Sequence, residues 1–207
     1  MELTQPSEGQ ALKRALVAVK DMRAKLDAAT QARTEPIAIV GVACRFPGGA
    51  DTPEAYWQLL RDGRDASIEI PPSRWDVDAY YDPDTEAPGK MHTRRGCFLS
   101  GPVDTFDAKF FGITPREAEY VDPQHRLLLE VAWEALENGG IAPTSLMGTK
   151  TGVYVGLSAV DYLDLQKTLG EDLNQVNPYM GLGGATSIAA GRVSYFLGVH
   201  GPTVTLD

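Results

Sequence analysis

Between about Gln10 and Thr30, apolar residues recur at alternating spacings of three and four: Leu12, Ala15, Val19, Met22, Leu26 and Ala29. Lys, Arg, Asp and Ala fill most other positions, although Leu16 and Val17 widen the stripe near its start. The spacing predicts a helix with the a/d seam of a short coiled coil. A lone helix of about three heptads is marginal in water. The stripe therefore needs a cover, either a second helix or, alternatively, its own domain with the helix folded back. Thr30 to Thr34 read as a short polar linker.

From Glu35 the pattern changes. Pro36 to Cys44, "PIAIVGVAC", is a continuous apolar run of the kind expected for a strand buried on both faces. "RFPGG" breaks it. Thr52-Pro53 then signals a helix start, Tyr56, Trp57, Leu59 and Leu60 an apolar face, and Gly63 a stop. Arg64 to Gly101 is rich in Pro, Asp and Gly and shows little periodicity, which predicts a long surface excursion. Two capped helices follow. Thr114 precedes Pro115, with Glu117 at the capping-box position. Asp122 precedes Pro123, and Leu128, Val131, Ala132, Ala135 and Leu136 form a face that ends at Asn138-Gly139. Thr151 to Ser158 reads as a second strand of buried character, and roughly Ala185 to Leu197 as a small-residue helix. A Gly201-Pro202 turn launches the strand Thr203 to Leu206. Strands separated by helices indicate an α/β layered fold.

Composition narrows the function classes. The 207 residues are 43% hydrophobic and 23% charged, which is enough apolar content for a packed core. A formal charge of −9 argues against the basic face of a nucleic-acid binder. No apolar run approaches the roughly 18 residues of a membrane span, and the first residues lack the features of a signal peptide. Two distant cysteines imply no disulfide framework and make a reducing cytoplasm the default.

Candidate chemistry is sparse. Cys44 follows a predicted buried strand and neighbours Arg45, which would favour a thiolate nucleophile. The competing reading is a small buried hydrophobe, and the same pair of readings applies to Cys97. His92, His125 and His200 are scattered singly, so no metal site is expected. His125 is expected to hydrogen-bond within the first turn of its helix. "GLGGATS", Gly181 to Ser187, resembles a phosphate loop but lacks the Gly-Lys-Ser/Thr ending, and its small residues suit close helix packing instead. No G-x-S-x-G occurs. The residues alone give a body behind a dimerising helix, with no complete catalytic set.

Four stretches carry a family resemblance: "EPIAIVGVACRFPGGADTPEAYWQLLRDG", "FDAKFFGITPREAEYVDPQHRLLLEVAWEALENGG", "TGVYVGLS" and "ATSIAAGRVSYFLGVHGPTVTLD". In that order they resemble the ketosynthase (β-ketoacyl synthase) domain of modular type I polyketide synthases. The resemblance implies the thiolase-like αβαβα layered fold, of which Glu35 to Asp207 would be the N-terminal half. It implies decarboxylative Claisen condensation of acyl thioesters with malonyl-type extenders. The chains would be delivered on the phosphopantetheine of an acyl carrier protein, with no cofactor bound by the domain itself. In the family a cysteine takes the acyl chain and two histidines support the condensation. The resemblance puts that cysteine just after Asp207, so no catalytic residue is expected within these residues, and none of the three histidines matches a catalytic position. Met180 and Thr186 would lie near the acyl tunnel and dimer interface. Residues 1–34 resemble the docking coiled coil that pairs two chains and receives the C-terminal segment of the upstream synthase. The expected assembly is a cytoplasmic homodimer formed through coiled coil and ketosynthase, and this chain by itself is expected to be inactive. The alternative is a non-catalytic docking and dimerisation module, or half of a split synthase completed in trans.

Overall fold

A computed structural model describes residues 8–169 and 178–207, which divide into a unit ending at Ile39 and a unit from Val40 to Asp207. In the first unit, α1 runs from Glu8 to Thr34. It continues through Thr30 to Thr34, so the expected polar linker is helix. The reason is local: the hydroxyls of Thr30 and Thr34 donate to the carbonyls of Leu26 and Thr30, one turn back, which satisfies them inside the helix. Leu12, Ala15, Val19, Met22, Leu26 and Ala29 are all exposed.

The second unit opens with an irregular segment and then α2, Pro53–Arg61. Thr52 caps α2 by accepting from the Ala55 N–H, as its sequence signal requires. The excursion from Arg64 to Gly101 is closed by two short antiparallel strands, β1 (Ile68–Glu69) and β2 (Arg95–Gly96), around α3 (Val77–Tyr80). Arg94 pairs with both Glu69 and Asp78 and holds the base of that loop together. Next come α4 (Pro115–Ala118) and α5 (Pro123–Asn138), capped by Thr114 and Asp122. After a 3₁₀ turn at Pro143–Leu146 follow β3 (Val153–Gly156), α6 (Asp161–Leu169), α7 (Pro178–Gly184), α8 (Ile188–Leu197) and β4 (Thr203–Leu206).

β3 and β4 pair in parallel, from Val153 opposite Thr203 to Gly156 opposite Leu206. α8 packs on both strands and on α5. Phe111, Ile113, Val121, Leu129, Val193, Leu197 and Val199 make the core between these elements. Leu128, Ala132 and Leu136 of the expected α5 face pack against that core, while Leu129, outside the expected face, is its most buried leucine.

Three expectations about this region need correction. Pro36 to Cys44 forms no strand among the described residues, and Ile37 and Ile39 are 95% and 83% exposed. No backbone ladder reaches the run. The Val42 N–H donates instead to the Asn138 side-chain oxygen at 3.0 Å, where the end of α5 stands in for a neighbouring strand. β3 is buried on one face only: Val153 and Val155 turn inward, whereas Tyr154 is exposed because α8 covers a single side of the sheet. Finally, the small-residue helix begins at Ile188, and the glycines before it belong to a separate helix, α7.

Candidate functional site

The residues that sequence analysis singles out do not assemble into one reactive cluster. Cys44 is buried, with its sulfur 3.7 Å from the Ala50 carbonyl oxygen. Burial pushes its thiol above the ordinary value, and Arg45 opposes that shift only in part. The Arg45 guanidinium is already committed, clamped on the Glu134 carboxylate and donating to the carbonyls of Cys44 and Asp51. The carboxylates of Asp51, Glu54 and Glu134 also disfavour a thiolate at Cys44. Of the two readings of Cys44, the geometry therefore supports the small buried hydrophobe and not the arginine-activated nucleophile. Cys44 stands at the wall of an apolar cavity of about 710 Å³, with Phe46, Tyr56, Trp57, Leu128 and Val131 among its lining. The cavity brings no histidine to the thiol.

Cys97, His92 and His200 are exposed and stand apart. His125 departs from expectation. Its backbone N–H bonds the Asp122 carbonyl oxygen, but neither ring nitrogen has a hydrogen-bond partner among the described residues. The first turn of α5 is already capped by the Asp122 carboxylate, which accepts from the Gln124 N–H at 2.8 Å, so the ring has no first-turn donor left to serve. Among the described residues no cluster of His, Cys, Asp or Glu could hold a metal ion, and no helix is long and apolar enough to cross a membrane.

What the structure does build is a tightly fixed seat around the α4–α5 junction. The Asp122 N–H donates to the Gly183 carbonyl oxygen at 2.9 Å, which ties the start of α5 to the end of α7. Gly183 lies directly against the Tyr120 carbonyl, and Gly184 lies against Leu163 of α6. Gly183 and Gly184 of "GLGG" are thus packing residues, as their composition suggests, whereas Gly181 is exposed. Met180 sits half-buried within α7, and Thr186 half-buried in the turn from α7 to α8, the two flanking this seat in sequence. Arg192 of α8 donates to Glu117 of α4 at 2.8 Å and to the Leu182 carbonyl oxygen at 3.0 Å. Sequence reasoning misses Arg192. It assigns Glu117 to a capping box, whereas the carboxylate turns to a partner 75 residues away that local pattern cannot show.

β4 is fixed to α8 as well as to β3. The Thr205 hydroxyl oxygen accepts from the Ala190 N–H at 3.3 Å and supplies the first turn of α8 with a cap that Ser187 does not provide. The Thr203 hydroxyl donates to Ser194 at 3.1 Å. Alternate residues of a strand share a face, and these two threonines use that face to grip the helix. The arrangement is a rigid platform: a parallel strand pair, a helix laid across it, and a terminal strand held from two sides.

This α/β platform is that of a condensing-enzyme fold. The chain belongs to the β-ketoacyl synthase family, whose N-terminal-domain model matches residues 34–207. It is similar to an oxazolomycin ketosynthase domain from Streptomyces albus JA3453, with a TM-score of 0.69 and 39% identity over 82% of this chain and 29% of that one. It is also similar to the ketosynthase from module 6 of the bacillaene synthase of Bacillus subtilis 168, with a TM-score of 0.65 and 38% identity over 82% of this chain and 26% of that one. The fold is accordingly thiolase-like, and the chain covers its N-terminal half. Among curated relatives, a phenolphthiocerol/phthiocerol polyketide synthase of Mycobacterium tuberculosis (strain CDC 1551 / Oshkosh) is 54% identical over 173 residues, 84% of this chain and 9% of that protein. A phenolphthiocerol/phthiocerol polyketide synthase of strain ATCC 25618 / H37Rv is 44% identical over 210 residues, 100% of this chain and 10% of that protein. The chain thus spans about a tenth of the length of these relatives.

Proposed function

We propose that this chain is part of the ketosynthase of a polyketide-elongating enzyme. It contributes the half of the fold that positions an acyl chain for decarboxylative condensation with a malonyl-type extender. The observation that carries this reading is the match over residues 34–207, joined to a β4 strand fixed on two sides. In this reading residues 1–34 are a docking coiled coil and 35–207 the ketosynthase region. Acyl groups arrive on the phosphopantetheine of an acyl carrier protein, and the assembly works in the cytoplasm as a homodimer. Met180 and Thr186 border the acyl tunnel and dimer interface, and the nucleophilic cysteine is supplied at the far end of β4, outside these residues. A thioester intermediate there would split one hard bond formation into two easier steps.

The 207 residues by themselves carry out no condensation, because Cys44 is held as a thiol and has no histidine beside it. Incubation with an acyl thioester tests this. The expected result is no hydroxylamine-releasable acyl label and no condensation product, and the appearance of both would overturn it.

The second reading, a docking and dimerisation module or half of a synthase completed in trans, draws on the exposed apolar stripe of α1. Size-exclusion chromatography with light scattering should report a dimer that Val19→Asp with Met22→Asp converts to monomer. An unchanged mass in the double variant would remove the coiled-coil assignment. A complex with the C-terminal segment of an upstream synthase favours the docking role, and its absence counts against it.

A further inference from the structure

The seam from Leu12 to Ala29 does not account for all the apolar side chains of α1. Leu16 and Val17 lie outside the three-four pattern and are 52% and 60% exposed. At 3.6 residues per turn they border a second flank of the helix, roughly 140° round from the middle of the seam. Lys13 and Lys20 are the i,i+3 and i,i+4 neighbours of both residues and stand between them on this flank. Arg23 and Ala24 continue it by another turn, and Asp27 closes it. All of these side chains are exposed.

Charge decides what can cover this flank. Glu8–Thr34 holds six Lys and Arg against three Asp and Glu, within a chain whose formal charge is −9. Lys13, Lys20 and Arg23 form no ion pair among the described residues, so their charge is unspent. With the seam joined to a second copy, the flank of each helix stays outside the pair. Stacking it on another α1 would set cations against cations. An anionic membrane suits the cations but not the apolar area. An interfacial helix buries a broad apolar face, whereas a paired α1 has only Leu16, Val17 and Ala24 left on this side, and the rest of the chain is strongly acidic. A helix whose apolar residues are flanked by Asp and Glu meets both needs, because it covers the apolar pair and brings the missing counter-charges.

We propose that the Leu16–Val17 flank of α1, bordered by Lys13, Lys20 and Arg23, is the docking face for an acidic amphipathic helix of a different polypeptide. The proposal rests on the coiled-coil reading of the seam and adds the chemistry of the partner. Leu16 and Val17 supply the apolar contact. The lysine and arginine stems extend that contact, and their charged heads reach carboxylates at its rim. A single exposed pair contributes little, so apolar contact sets the affinity and charge sets the choice of partner. Asp27 disfavours acidic residues at the C-terminal end of the flank, which holds the partner's carboxylates in register with Lys13 to Arg23.

The test is fluorescence anisotropy of a labelled helical peptide of about three heptads, with leucines on one face and Glu on both sides of it, titrated with the full 207-residue chain. A second peptide carries Lys in place of every Glu. The acidic peptide should bind about tenfold more tightly than the basic one. Its binding should weaken several-fold as salt rises from about 0.1 M to about 1 M, because the screening length falls from about 10 Å to about 3 Å. Lys13→Glu with Lys20→Glu should reverse the preference between the peptides. Leu16→Gln should weaken the acidic peptide about tenfold while light scattering still reports the parent's mass. Equal binding of the two peptides, no binding of the acidic one, or an unreversed preference in the double variant overturns the proposal. So does sedimentation with phosphatidylserine vesicles that the double variant loses, which would assign the flank to a membrane surface. A monomeric parent removes the coiled-coil reading and the proposal with it, whereas a dimer indifferent to the acidic peptide removes the proposal alone.

Discussion

Gly183→Ala is the sharpest test of how α7 is seated. A Cβ at Gly183 would stand 2.5 Å from the Tyr120 carbonyl carbon, closer still to its oxygen, and 3.1 Å from the Val121 nitrogen. These are backbone atoms at the entrance to α5, so no flexible side chain can yield. To relieve the clash α7 must move away, which also stretches the 2.9 Å bond from the Asp122 N–H to the Gly183 oxygen. Overpacking of this kind costs about 1–3 kcal/mol, and the lost hydrogen bond about 1 kcal/mol more. The expected total is about 2–4 kcal/mol, a large share of the roughly 5–15 kcal/mol that holds a domain together. The same helix contains its own control. Gly181 is exposed, with nothing within 4 Å of the place a Cβ would take, so Gly181→Ala gains helix propensity of about 0.5–1 kcal/mol without a clash. Urea titration followed by far-ultraviolet circular dichroism reads both. The Gly183 variant should lose about 1 M or more in midpoint, and the Gly181 variant should hold or gain. Equal midpoints for the two variants would refute the packing argument.

Other consequences can be checked in the same preparations. Leu129→Ala empties a core position that is 2% exposed and should cost about 2–5 kcal/mol, seen as a clear drop in melting temperature. In the native chain a thiol reagent should modify Cys97 rapidly and Cys44 only after denaturant is added, because burial both shields Cys44 and raises its thiol. Equal labelling of the two would contradict the site description. Glu117→Gln leaves Arg192, with a side chain 12% exposed, short of its counter-charge. Discounted for partial exposure, the loss should be about 1–2 kcal/mol, and Glu117→Met with Arg192→Met should recover part of it in a double-mutant cycle.

The helix starts are legible in the sequence because their signals are local. Thr52, Thr114 and Asp122 each cap the helix that the following proline opens, and no distant contact is needed to see it. The strands are legible only in part. Pro36 to Cys44 has the composition of a doubly buried strand, but composition reports what a run tolerates and not which backbone lies beside it. Pairing is a long-range property, and here the Val42 N–H is taken by Asn138. The division between α7 and α8 escapes for a related reason. A tract of Gly, Ala and Ser reads as one small-residue segment, and only the approach of Tyr120 and Leu163 reveals that Gly183 and Gly184 end a helix of their own. Thr30 to Thr34 read as linker from polarity alone, although hydroxyls can bond back into a helix at little cost.

The candidate site is legible as a set of family words and illegible as chemistry, and the threonines of β4 show why. Thr203 and Thr205 stand out in the sequence as β-branched strand formers, which explains their presence in a strand but not their hydroxyls. The structure uses those hydroxyls: one caps the start of α8 and the other bonds Ser194. A slip of one residue in β4 would bring the Val204 methyls to the Ala190 N–H and leave a helix donor unpaired, in addition to breaking the ladder from Val153–Thr203 to Gly156–Leu206. Two independent sets of bonds therefore fix the same strand in the same register. In the proposed function a catalytic group has to be held to within a fraction of an ångström, and a strand fixed on two sides would serve that need. In this chain positioning is written in residues that have no reactivity of their own. A search for nucleophiles and bases therefore finds Cys44 and His125, both buried away from reaction, and passes over the threonines and glycines that shape the site.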